Sequence, residues 1–187
     1  MEQMNQAYKV FTRICLNNWH YIDRKVLGLN ESINFFTGHS GSGKSTVIDA
    51  MQIVLYANTD GRGFFNKAAA DDSDRSLIEY LRCMINIGEN NQAEYKRNKN
   101  FSTTIVLEME QTITKEKECI GVVFDVETAT NEINRLFFWH KGELIPGDYR
   151  TESRAMTISE VRSYLQQNFP KDEMFYTSNN ERFRRNL

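Results

Sequence analysis

Residues Gly38-His39-Ser40-Gly41-Ser42-Gly43-Lys44-Ser45, followed by Thr46, set three glycines, a lysine and a hydroxyl in the order G-x-x-x-x-G-K-S. Glycines let successive backbone N–H groups turn inward as an anion nest. A helix that opens at the lysine then points its positive end at the same spot. A chain of phosphates fits this arrangement. Lys44 would reach the β- and γ-phosphates, the Ser45 hydroxyl would coordinate Mg2+, and Thr46 would help with phosphate contacts. Such a loop belongs between a strand and a helix, so the motif demands an α/β chain.

The flanks supply both partners. Residues 33–37 are a short strand-like run ending at Gly38, and residues 8–20 form a longer one rich in aromatic and β-branched types. From Lys44 to Tyr56, Val47, Ile48, Met51, Val54 and Leu55 recur at helical spacing with no glycine or proline between them.

Beyond the helix, residues 58–74 show no sustained period and read as a long excursion loop. Ser76-Leu77-Ile78-Glu79 fits a capping box, and Leu77, Leu81, Met84 and Ile85 continue it as a second helix that stops before Gly88. Alternation over residues 101–113 predicts a half-buried strand, and runs at 119–126 and 135–140 complete an antiparallel meander. Thr157-Ile158-Ser159-Glu160 caps a third helix with Pro170 just past its end. A fourth opens at Ser178-Asn179-Asn180-Glu181, with Phe183 and Leu187 as its first apolar positions.

One compact domain spanning 1–187 is the expectation for 187 residues of which 40% are hydrophobic and 26% charged. A formal charge of −2 argues against nucleic-acid binding by bulk charge, leaving only local basic patches such as Lys96, Arg97 and Lys99 beside Tyr95, which also fit a solvated turn. Cys15, Cys83 and Cys119 have no C-x-x-C pairing and read as reduced, buried thiols. No apolar run approaches the ~18 residues of a membrane helix, so a cytoplasmic location is expected.

Hydrolysis would need an acid at the end of a neighbouring strand. The run 120–127 is the one candidate, ending in Asp125, but Val126 displaces the adjacent second acid, and it reads first as a meander strand with polar residues at its end. His20 and His140 read as structural, and His39 as a backbone contributor to the nest.

Residues 36–52, with their glycine loop and the following Val47-Ile48-Asp49-Ala50, resemble the amino-terminal head of SMC-like P-loop ATPases. Gly61-Arg62-Gly63-Phe64-Phe65, Ser73-Asp74-Arg75 and Phe137-Phe138-Trp139 look closest to the JetC (Wadjet), MksB and MukB condensin-like group. The likeness spans nearly the whole chain. Ser40 departs from the family, much of which has Asn there.

The resemblance implies an ABC-ATPase-like SMC head fold, of which this chain would be an amino-terminal half-head: an antiparallel β-meander plus helices. It implies ATP and Mg2+ as cofactors, and Arg62 and Arg75 as contacts to ATP or DNA, although an exposed arginine in a polar loop is also simply solvated. The catalytic acid would come from a carboxy-terminal head segment, returning after a coiled-coil arm that begins near or after residues 178–187. Partners would be that segment, a second head, kleisin-type and accessory subunits, and double-stranded DNA, with nucleoid association in the full complex. A self-contained small P-loop kinase or NTPase, and a silent scaffold module, are the alternatives.

Overall fold

The computed structural model describes residues 7–34, 36–37, 43–57, 77–88 and 90–187. Its framework is a six-stranded sheet in which every pairing is antiparallel, built from β1 (Lys9–Trp19), β2 (Ile22–Gly28), β5 (Phe101–Gln111), β6 (Lys117–Glu127), β7 (Glu132–Lys141) and β8 (Met174–Thr177). The spatial order is β2-β1-β5-β6-β7-β8. A separate hairpin pairs β3 (Met84–Ile87) with β4 (Ala93–Tyr95). The helices are α1 (Lys44–Tyr56), α2 (Leu77–Arg82), α3 (Ile158–Asn168) and α4 (Asn180–Arg184).

Side chains alternate across a strand, and here both faces of the central strands find cover. On one face Leu16, Leu107, Val122 and Phe137 pack with Ala50 and Val54 of α1, Leu81 of α2 and Phe183 of α4. On the other, Cys15, Val106, Val123 and Phe138 pack with Leu144, Tyr149 and α3 through Val161 and Leu165. The expected half-buried strand at 101–113 is therefore corrected: β5 is buried on both faces, including Thr104 and Glu108.

Burying Glu108 requires partners. A register shift between Phe11 and Arg13 lets consecutive side chains, Thr12 and Arg13, both donate to its carboxylate, and the Leu144 N–H adds a third donor at 3.0 Å. Burial alone would raise the Glu108 pKa; the bonds from Arg13, Thr12 and Leu144 outweigh it and hold the group at about 2. Through Leu144 the same carboxylate ties the covering loop to the sheet.

The second face holds the buried thiols of Cys15 and Cys119, each pushed up to about 12 by burial first. Beside them His140 Nε2 lies 2.6 Å from the Tyr149 hydroxyl and Nδ1 lies 3.0 Å from the Lys141 carbonyl, consistent with a structural histidine.

The second helix ends earlier than its apolar stripe predicts. Cys83 adopts φ 56, and Lys96 and Arg97 donate backbone N–H groups to the carbonyls of Cys83 and Arg82. Those bonds draw Met84 and Ile85 into β3, where Ile85 and Ile87 are exposed. A stripe compatible with a helix is overridden by pairing to the following segment, Ala93–Tyr95.

Residues 33, 34, 36 and 37 lie outside any strand, so the strand expected before the glycine loop is not present among the described residues. The excursion loop expected at 58–74 and the capping Ser76 lie outside the described residues. α3 starts as expected, with Thr157 accepting from the Glu160 N–H. α4 takes Asn179 as its cap and buries Phe183, while Leu187 is exposed. Among the described residues no helix is long and apolar enough to cross a membrane.

Candidate phosphate-binding site

Gly38, His39, Ser40, Gly41 and Ser42 lie outside the described residues, as do Arg62 and Arg75; Gly43, Lys44, Ser45 and Thr46 are described. Gly43 occupies the left-handed region at φ 93 and caps α1, whose first closing bond runs from the Val47 N–H to the Gly43 carbonyl at 3.2 Å. Lys44 and Ser45, half-buried, are the first two residues of that helix, and Thr46 is buried behind them.

The opening of α1 is built against the usual rules for an isolated helix. α3 and α4 each have a side-chain cap and an acid in the first turn, Thr157 with Glu160 and Asn179 with Glu181. α1 has a glycine cap, no acid in its first turn, and Lys44 where the dipole disfavours a cation. A terminus with a glycine cap and no first-turn acid is suited to an outside anion, which the helix dipole and the first N–H groups favour.

Three contacts fix α1 in place. Trp19 at the end of β1 donates its indole N–H to the Thr46 carbonyl at 2.7 Å. Tyr80 of α2 donates to Asp49 at 2.6 Å, and the rings of Trp19 and Tyr80 lie 4.8 Å apart. Tyr21, in the turn between β1 and β2, sets its hydroxyl against Gly43: a Cβ there would meet that oxygen at 1.7 Å. The left-handed φ favours glycine, and any Cβ there would also displace the Tyr21 hydroxyl.

The basic cluster expected to be a solvated turn is something else. Arg97 is only 8% exposed and donates to the carbonyls of His20, Ile22 and Leu81 and to Asp23. Lys96 donates to Asp23 and to the Tyr21 carbonyl. The bond from Lys96, with Arg97 nearby, holds the Asp23 carboxyl below its ordinary value. Both cations are committed to the β1–β2 turn rather than offered to a phosphate backbone.

Asp125 is not placed for a metal held at Ser45. Along β6, Val122, Phe124 and Val126 face the α1 side while Val123 faces α3, so Asp125 projects with Val123 to the opposite face of the sheet. There it accepts from the Ser102 hydroxyl at 2.7 Å and from the Ile158 N–H at 3.1 Å. Its work is to satisfy the first turn of α3, and the meander-strand alternative is the one the structure bears out.

The family model for the P-loop containing region of AAA domains matches residues 11–72. The match encloses the entire glycine loop. No curated protein matches the chain. Among solved structures, a similar chain is described as "Structural biochemistry of ATP-driven dimerization and DNA stimulated activation of SMC ATPases.". It is 15% identical, with a TM-score of 0.39, over 84% of this chain and 78% of that one.

Two residues outside the glycine-loop motif bear on the entrance of its helix only through the fold. Tyr21 sits in a polar turn 22 residues before Gly43 and Arg97 lies 54 residues after it. Tyr21 is singled out by its contact with Gly43, and Arg97 by its bonds to the turn that carries Tyr21.

Proposed function

We propose that this chain binds ATP with Mg2+ through Lys44, Ser45 and the glycine loop, as the amino-terminal part of an SMC-like ATPase head. The observation that carries the reading is the opening of α1: a P-loop sequence running into a helix with no side-chain cap, no first-turn acid and a lysine in its first turn. An ATP phosphate chain would bring negative charge to a helix start that has no first-turn acid, and the Ser45 hydroxyl would hold the Mg2+ that offsets the charge of the phosphates.

Turnover is assigned to a composite site. Asp125 is committed to α3 on the far face of the sheet. On the family resemblance, the catalytic acid and the signature residues would come from a carboxy-terminal head segment and a second head. The resemblance at residues 36–52 and 61–77 supports placing the assembly near the JetC, MksB and MukB group, acting on double-stranded DNA with kleisin-type subunits.

The test is calorimetric titration of ATP·Mg2+ into the chain and its Lys44→Ala variant, followed by turnover assays with and without an added carboxy-terminal head segment. Micromolar binding lost in Lys44→Ala, with turnover only after addition, is the expected result. Binding that survives Lys44→Ala would favour a silent scaffold, and turnover by the chain alone a self-contained NTPase.

A further inference from the structure

The turn between β1 and β2 is held with unusual rigour for a two-residue connection. The Arg97 guanidinium reaches the His20 carbonyl on one side of Tyr21 and the Ile22 carbonyl at 3.3 Å on the other, while also bonding Leu81 of α2 at 2.9 Å and Asp23 at 3.1 Å. Lys96 takes the carbonyl of Tyr21 itself at 3.0 Å. Every backbone carbonyl from His20 to Ile22 is thus gripped from the β4–β5 connection.

What the grip presents is Tyr21, whose ring stands edge-on to His20 at 5.1 Å and whose hydroxyl rests on the Cα of Gly43. Gly43 is the last glycine of the P-loop and the residue with the widest backbone freedom at the helix entrance. A loop that must aim its N–H groups at phosphates binds more tightly when this freedom has been removed beforehand.

We propose that Arg97 is a positioning residue for the P-loop: by clamping the His20–Tyr21 turn it makes Tyr21 a brace that holds Gly43 in its left-handed conformation before nucleotide arrives. This rests on the ATP-binding reading above for its functional consequence, though the bracing itself is a property of the ligand-free chain. Because the brace acts on the loop backbone, it affects any polyphosphate alike, with or without a base.

The experiment compares wild type with Tyr21→Ala, Tyr21→Phe, Arg97→Lys and Asp23→Asn, titrating each with ATP·Mg2+ and with inorganic tripolyphosphate·Mg2+. Tyr21→Ala should weaken both ligands by the same factor, about tenfold, and Arg97→Lys should do so by a smaller equal factor. Tyr21→Phe, which removes only the oxygen in contact with Gly43, should fall between wild type and Tyr21→Ala.

Amide hydrogen exchange at residues 43–46 of the ligand-free proteins is the second readout. Exchange should accelerate there in Tyr21→Ala and Arg97→Lys while β5 and β6 stay protected. If Arg97→Lys does not fold, Asp23→Asn, altered at an exposed arm of the clamp, gives the same comparison. Unchanged affinity and unchanged exchange in Tyr21→Ala would overturn the proposal. Loss of ATP affinity alone would overturn it too, by making Tyr21 a contact to base or ribose. A wild type that binds neither ligand rejects the ATP-binding reading, while the exchange data still decide the brace.

Discussion

The Tyr80 hydroxyl donates to the Asp49 carboxylate at 2.6 Å, joining α2 to the second turn of the P-loop helix between two buried side chains. Tyr80→Phe removes that donor and leaves a buried carboxylate with one hydrogen bond fewer. A loss of about 2 kcal/mol is expected, which for a chain of this size lowers Tm by about 4–8 °C. Thermal unfolding of the two proteins checks it, and an unchanged Tm would mean that the contact contributes nothing net.

Acid should destabilise the protein in two stages. Burial first, against the bond to Lys141, lowers the His140 pKa below its ordinary 6.5, so its contribution is full above that pH and is lost as pH falls below it. Glu108, held at about 2 instead of 4.5, contributes fully above pH 4.5 and loses about 3 kcal/mol as pH falls toward 2. Tm measured from pH 8 to pH 2 should therefore fall first below 6.5 and again below 4.5. In Glu108→Gln the second fall should shrink while the first remains.

Gly121 faces Phe138 so closely that an added Cβ would meet Phe138 Cζ at 2.6 Å and the Ile105 carbonyl oxygen at 2.8 Å. A ring can swing aside, but a β5 backbone oxygen inside the sheet has no such freedom. Gly121→Ala should cost about 2–3 kcal/mol, read from chemical denaturation with the slope unchanged.

Asp125→Ala separates a cap from a metal ligand. Losing the acceptor for the Ile158 N–H and the Ser102 hydroxyl should cost about 1–2 kcal/mol of stability. Nucleotide affinity, measured well below the Tm of the variant, should stay at the wild-type value. A large loss of Mg2+-dependent ATP binding would return Asp125 to the site.

Features that depend on neighbours a few residues away were legible in the chain. The helix at Lys44–Tyr56, the meander of β5, β6 and β7, and the Thr157 cap of α3 follow from apolar period, capping chemistry and alternation, each a local property. The glycine loop was likewise readable, because a phosphate nest needs its residues consecutive. β2 was not: an edge strand bearing Asp23, Arg24 and Lys25 pairs on one side only and shows little alternation.

Tertiary contact decided the rest. Whether β5 is covered on one face or two depends on Leu144 and α3, more than thirty residues further along. Asp125 ends an apolar run where a metal ligand could stand, but the Ile158 N–H claims its carboxylate; Arg97 fits a solvated turn by sequence, but the turn at Tyr21 folds over it. A local pattern sets how often side chains return to one face; which face meets which partner is settled only when distant segments compete to satisfy the same buried charge. The P-loop could be recognised from consecutive residues, whereas the side chains that hold its helix had to be brought together by the fold.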